Sequence, residues 1–90
     1  MAAMIVRHRV ADYAKWREAF DSMHKLRAEH SWTATEVFRD ATDPNLVTIV
    51  NHVRDVESAK RYGGSAALRD AMEKGGVLSA PEITFLNEAY

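Results

Sequence analysis

Two periodicities share this chain, a two-residue alternation in four short runs and a three-to-four-residue repeat between them, and their order predicts the elements. The run Met4-Ile5-Val6-Arg7-His8-Arg9-Val10 reads as a strand, with Met4, Val6, His8 and Val10 on one face and Ile5, Arg7 and Arg9 on the other. Asp12 is placed to cap a helix running to about Glu29, whose apolar stripe is Tyr13, Trp16, Ala19, Phe20, Met23 and Leu26. Lys15, Arg17, Glu18, Asp21, Lys25 and Glu29 cover its other side. Trp32 to Arg39, rich in β-branched and aromatic residues, reads as a second strand ending in a turn around Asp43-Pro44-Asn45. Leu46 to Val53 follows as a third, apolar enough on both faces to be central. Asp55 can cap a helix through Val56, Ala59 and Tyr62; Gly63-Gly64 interrupts it, Ser65 restarts it through Leu68, Ala71 and Met72, and Gly75-Gly76 stops it. Glu82 to Glu88, after Pro81, is the last strand.

Strand, helix, strand, strand, helix, strand with right-handed crossovers predicts an α+β, ferredoxin-like split βαββαβ domain over residues 1–90. Its four-stranded antiparallel sheet carries both helices on one face, with the first and third strands as the central pair. The other face is bare, so two sheets are expected to pack across a two-fold axis as a homodimer and enclose a cavity.

The charge pattern narrows the partners. Twelve basic and thirteen acidic residues give a net charge of -1 with no basic block to follow a phosphate backbone, so nucleic acid is disfavoured. There is no cysteine, hence neither a disulfide framework nor a thiolate metal site. Met1-Ala2-Ala3-Met4 lacks the look of a signal peptide, and no apolar run approaches the roughly 20 residues of a membrane span. The expectation is a cytoplasmic protein with no membrane partner.

His8-Arg9-Val10-Ala11-Asp12-Tyr13 with Trp16 and Phe20-Asp21, Phe38-Arg39-Asp40 with Asp43-Pro44-Asn45, Ala71-Met72 with Gly76-Val77, and Pro81-Glu82-Ile83 are segments of a familiar kind. Together with the element order they resemble the dimeric α+β barrel superfamily, and within it small cyclase-like and antibiotic biosynthesis monooxygenase-like proteins. The resemblance implies a dimer with a ligand cavity between sheet and helices or between two sheets. It also implies an activity among those the fold hosts, from cofactor-free oxygenation of polycyclic phenols and polyketide cyclisation to haem degradation, muconolactone isomerisation and plain ligand binding.

Thr48, Val50 and His52 should share the open face of the third strand, which would bring His52 together with Arg7 and Arg9 in one cavity. A neutral imidazole beside guanidinium groups stays unprotonated, so His52 is the expected catalytic base and Arg7 and Arg9 the expected holders of an enolate, phenolate or carboxylate. The plainer alternative leaves His52 near the strand end in solvent and pairs the arginines with Glu36 or Glu88. His8 falls on the apolar face, where a lone histidine is ordinarily a hydrogen-bonded core residue, although a bulge would move it into the cavity. Trp32 and Phe38, read as sharing a face with Ala34 and Glu36, look like a pocket wall or a subunit contact, and Tyr62 precedes a diglycine that could gate an entrance. The substrate-binding set is thus His8, Trp32, Glu36, Phe38, Thr48 and Tyr62. His24 reads as a boundary residue and His30 as a helix-end residue, and neither has a metal-ligand spacing.

The expected function is cofactor-free proton abstraction on an aromatic or polyketide-like carbonyl compound, leading to oxygenation or cyclisation. A non-catalytic dimeric binding or accessory protein is the alternative. Haem handling would require His8 or His52 as an axial ligand.

Overall fold

The computed structural model describes residues 2–29 and 32–89. Its elements are β1 (Ala2–Arg9), α1 (Tyr13–Ser22), α2 (His24–Glu29), β2 (Trp32–Arg39), β3 (Leu46–Val53), α3 (Val56–Gly63), α4 (Ala66–Lys74) and β4 (Glu82–Asn87). The strands form one antiparallel sheet in the order β2-β3-β1-β4, so β1 and β3 are the central pair.

Local chemistry sets the helix starts. Asp12, Asp55 and Ser65 each hold an extended backbone and accept a hydrogen bond from the amide three residues on, the N-cap role the sequence predicts for all three. Burial then orients the sheet. Met4, Val6, His8 and Val10 alternate with exposed or half-exposed neighbours, as do Val47, Ile49, Asn51 and Val53, and these two rows form the floor under the helices. Met4, Val10, Val47 and Val53 are the largest fully buried side chains.

Two features depart from the expected pattern. The single helix expected from Asp12 to Glu29 breaks at Met23, whose φ of -95° and ψ of 4° turn the chain so that its amide donates to the carbonyls of Phe20 and Asp21. The second departure is a β-bulge in β2: Trp32 pairs with Val53 but Ala34 pairs with His52, leaving Thr33 as the extra residue. One inserted residue reverses the facing of everything before it. Trp32 therefore shares the helix side with Thr35 and Val37, while Ala34, Glu36 and Phe38 lie on the open side.

One glycine permits the close packing of α4 against α1 and the next ends the helix. A methyl on Gly75 would sit 3.2 Å from Trp16 Cδ1 and from the Ala71 carbonyl oxygen, and Gly76 ends the helix at a φ of +74° that favours glycine. Among the described residues no helix is long and apolar enough to cross a membrane.

Candidate functional site

The helices do not close completely over the sheet. A cleft, open to solvent at its mouth, lies between them. Met4, Val6, His8, Ile49 and Asn51 form its floor, and Trp16, Phe20, Arg27, Tyr62, Leu68 and Met72 are among its walls. An apolar cleft with a few convergent polar groups is the usual make-up of a small-molecule site.

His8 is 3% exposed, and neither ring nitrogen has a hydrogen-bond partner among the described residues. Burial lowers its pKa to about 4, because water is no longer there to solvate an imidazolium. The ring stands edge-on to Trp16 at a centroid distance of 5.7 Å. Unpaired polar atoms inside a protein cost about 1–3 kcal/mol, so a buried histidine with both nitrogens idle calls for a reason. The expectation that it is a hydrogen-bonded core residue is corrected here: β1 places it on the core side, but the floor around it is made of Met4, Val6 and Ile49, which offer no side-chain hydrogen bond.

Arg27 is 7% exposed. Its guanidinium donates one hydrogen bond to the Phe20 carbonyl at 2.9 Å and lies over the Phe20 ring, 3.9 Å from the centroid. The break at Met23 makes this geometry available, since α2 can then fold its arginine back over the last turn of α1. No carboxylate pairs with Arg27 among the described residues. Its charge also bears on Tyr62: burial raises the phenol's pKa, and the adjacent guanidinium pulls it the other way.

Asn51 is buried and fully engaged. Its Nδ2 donates to the Met4 carbonyl at 3.0 Å, and its Oδ1 accepts from Trp32 Nε1 at 2.7 Å. Trp32 in turn packs against Tyr62 with ring centroids 4.7 Å apart. The bulge at Thr33 thus brings Trp32 under the helices, where it locks the wall that Tyr62 presents to the cavity.

The open face arranges its charges differently from the expected cluster. The β1 and β3 register sets Arg7 opposite Thr48 and Arg9 opposite Leu46, but His52 opposite Ala3. Four residues of strand, about 13 Å, therefore separate His52 from Arg7. His52 Nε2 meets Glu36 Oε1 at 2.7 Å. Arg9 pairs with Asp43 of the β2–β3 turn, and that contact is the largest cause of the lowered pKa of the Asp43 carboxyl. The Asp40 carboxyl is lowered chiefly by amide hydrogen bonds from Asp43 and Thr42, with a smaller contribution from the charge of Arg7. Among the described residues neither arginine forms an ion pair with Glu36, which meets His52, or with Glu88, contrary to the plainer alternative. Phe38 and Thr48 are neighbours on this face, and Phe38 is 52% exposed. Of the expected site residues, then, His8 and Tyr62 line the helix-side cavity and Trp32 supports it, whereas Arg7, Arg9, Glu36, Phe38, Thr48 and His52 are spread over the open face. His24 is exposed on α2, and His30 lies outside the described residues.

Reading by strand faces missed Arg27 as a site residue. The available signal was its position, four residues after Met23 and seven after Phe20, inside the apolar stripe of the first helix. No three His, Asp or Glu side chains among the described residues gather closely enough to hold a metal ion. What the cavity offers instead is a neutral proton acceptor and a buried cation in an apolar surround, which suits removal of a weakly acidic proton and retention of the resulting anion.

No protein-family model and no curated protein matches the chain. Solved structures do. A candidate antibiotic biosynthesis monooxygenase from Bordetella bronchiseptica superposes with a TM-score of 0.82 at 13% identity, over 99% of this chain and 97% of its own. One from Caulobacter crescentus gives 0.77 at 18% identity, over 99% and 90%. SnoaB, a cofactor-independent oxygenase from Streptomyces nogalater, gives 0.78 at 11% identity, over 99% and 93%. The chain has the ferredoxin-like α+β fold of these antibiotic biosynthesis monooxygenase-like structures.

Proposed function

We propose that this protein is a small-molecule enzyme, a cofactor-independent monooxygenase of the kind represented by SnoaB, acting in the cavity under its helices. His8 carries the reading. In this scheme its neutral imidazole accepts a proton from a phenol or from a carbon beside a carbonyl, and the charge of Arg27 in the same apolar cavity stabilises the anion that forms. The new negative charge raises the proton affinity of His8 at the moment of transfer, so a pKa of about 4 in the free site does not prevent it from acting. The electron-rich anion reacts with dioxygen. For a methylene carbon the balance is one CH2 and one O2 giving one C=O and one H2O; the substrate supplies all four electrons, and no redox group is needed.

In this reading Arg7, Arg9 and His52 leave the catalytic centre, and the open face is where a second copy docks to make a homodimer. Exposed Phe38 and Leu86 and half-buried Ile5 and Val50 supply its apolar area, and the His52–Glu36 pair borders it. Oxygen consumption tests the function: wild-type protein mixed with phenols and with carbonyl compounds bearing an acidic C–H should consume dioxygen in proportion to the product carbonyl formed. Saturable binding of the same compounds without oxygen uptake would make this a binding protein instead.

A further inference from the structure

We infer that the cavity takes a one-ring aromatic carboxylate bearing a hydroxyl on the far side of the ring, with the carboxylate on Arg27 and the hydroxyl on His8. This rests on the helix-side cavity being the functional site.

The inference starts from an uncompensated charge. Arg27 is buried without a carboxylate partner among the described residues, and a lone ion in such a place costs several kcal/mol unless something neutralises it. The Phe20 ring and carbonyl satisfy one face and one N–H of a group with five donors, and the Tyr62 hydroxyl accepts from another. The N–H groups left over can meet the oxygens of a carboxylate. Among the described residues no other Lys or Arg lines the cavity, so one positive charge answers one negative charge, and a doubly charged phosphate would be left half compensated.

The second end is His8, whose idle nitrogens can accept from a hydroxyl or donate to it. Between the two ends runs a column of rings. Arg27 lies over Phe20, Phe20 stacks on Trp16 with centroids 5.0 Å apart and planes 24° from parallel, and His8 stands edge-on to Trp16. The polar ends are thus two stacked rings apart, a gap that a single benzene ring with substituents on opposite sides can bridge. A fused three-ring ketone such as anthrone carries no negative charge to answer Arg27, whose neighbours on the cavity wall include apolar Leu68 and Met72.

Calorimetric titration with 4-hydroxybenzoate, benzoate, phenol and anthrone tests this. The expected result is that 4-hydroxybenzoate binds tightest. Arg27→Met should weaken 4-hydroxybenzoate and benzoate by about 10- to 100-fold while leaving phenol almost unchanged. Arg27→Lys, which keeps the charge but loses the planar guanidinium, should fall between, and it serves in place of the methionine variant if circular dichroism shows the latter unfolded. His8→Leu should weaken phenol and 4-hydroxybenzoate and spare benzoate. Anthrone or phenol binding as tightly as 4-hydroxybenzoate, an equal loss for all ligands in Arg27→Met, or no binding of any ligand would overturn the inference. Oxygen uptake on neutral phenols without a preference for the carboxylate defeats this inference alone; carboxylate-selective binding without oxygen uptake defeats only the enzymatic reading.

Discussion

A His8→Leu protein is expected to lose oxygen-consuming turnover by a factor of about 10² to 10⁴ while melting at a higher temperature than wild type. The two halves have one cause. His8 sits on the cavity floor among apolar neighbours with both nitrogens unpartnered, an arrangement that costs stability and provides a proton acceptor. Leucine fills a similar space and has nothing to satisfy, so the replacement should recover about 1–3 kcal/mol. At the midpoint, each kcal/mol corresponds to about 4–8 °C for a domain of this size. Turnover and thermal melting of the same preparation check both halves. A purely structural histidine would give the opposite pattern, with activity retained in proportion to folded protein and a lower melting temperature.

The acid limb of wild-type stability should carry the same signature. The His8 pKa is lowered from 6.5 to about 4 on folding, so between these values the unfolded chain binds a proton that the folded chain does not. Stability from this group is complete above pH 6.5 and is lost as pH falls through 4, with a total of up to about 3 kcal/mol. The lowered carboxyls Asp40, Asp43 and Asp55 start from 3.8, so their losses set in only below about pH 5 and overlap this window at its acid end alone. Urea unfolding at a series of pH values should show wild-type stability declining between pH 6.5 and 4, with that decline absent from His8→Leu above about pH 5. Parallel curves for the two proteins would mean that His8 stays solvated in the folded state.

Much of this architecture is written in short-range chemistry. The bounds of β2 and β3, the three helix caps and the faces of β1 and β3 follow from alternation and from Asp or Ser ahead of an apolar repeat. The arrangement of the site is not short-range. Strand adjacency places β1 beside β3, but antiparallel pairing sets the end of one strand against the start of the other. Arg7 and Arg9 consequently face Thr48 and Leu46, and His52 faces Ala3 at the opposite end. The Thr33 bulge moves Trp32 to the other face without any glycine or proline to mark it. Arg27 was hidden by its chemistry, since a charged side chain is ordinarily assigned to the solvated side of a helix, and only its spacing from Phe20 and Met23 shows that it lies in the apolar stripe.

The ring-nitrogen spectrum of the histidines tests most directly where a ligand sits. In ¹⁵N-labelled protein at neutral pH, titrated with 4-hydroxybenzoate or phenol, His8 should start as a neutral ring without hydrogen bonds and shift strongly on binding. His52, held by Glu36 on the far face of the sheet, should stay in place. Movement of His52 with His8 unchanged would put the functional surface on the open face and contradict the account.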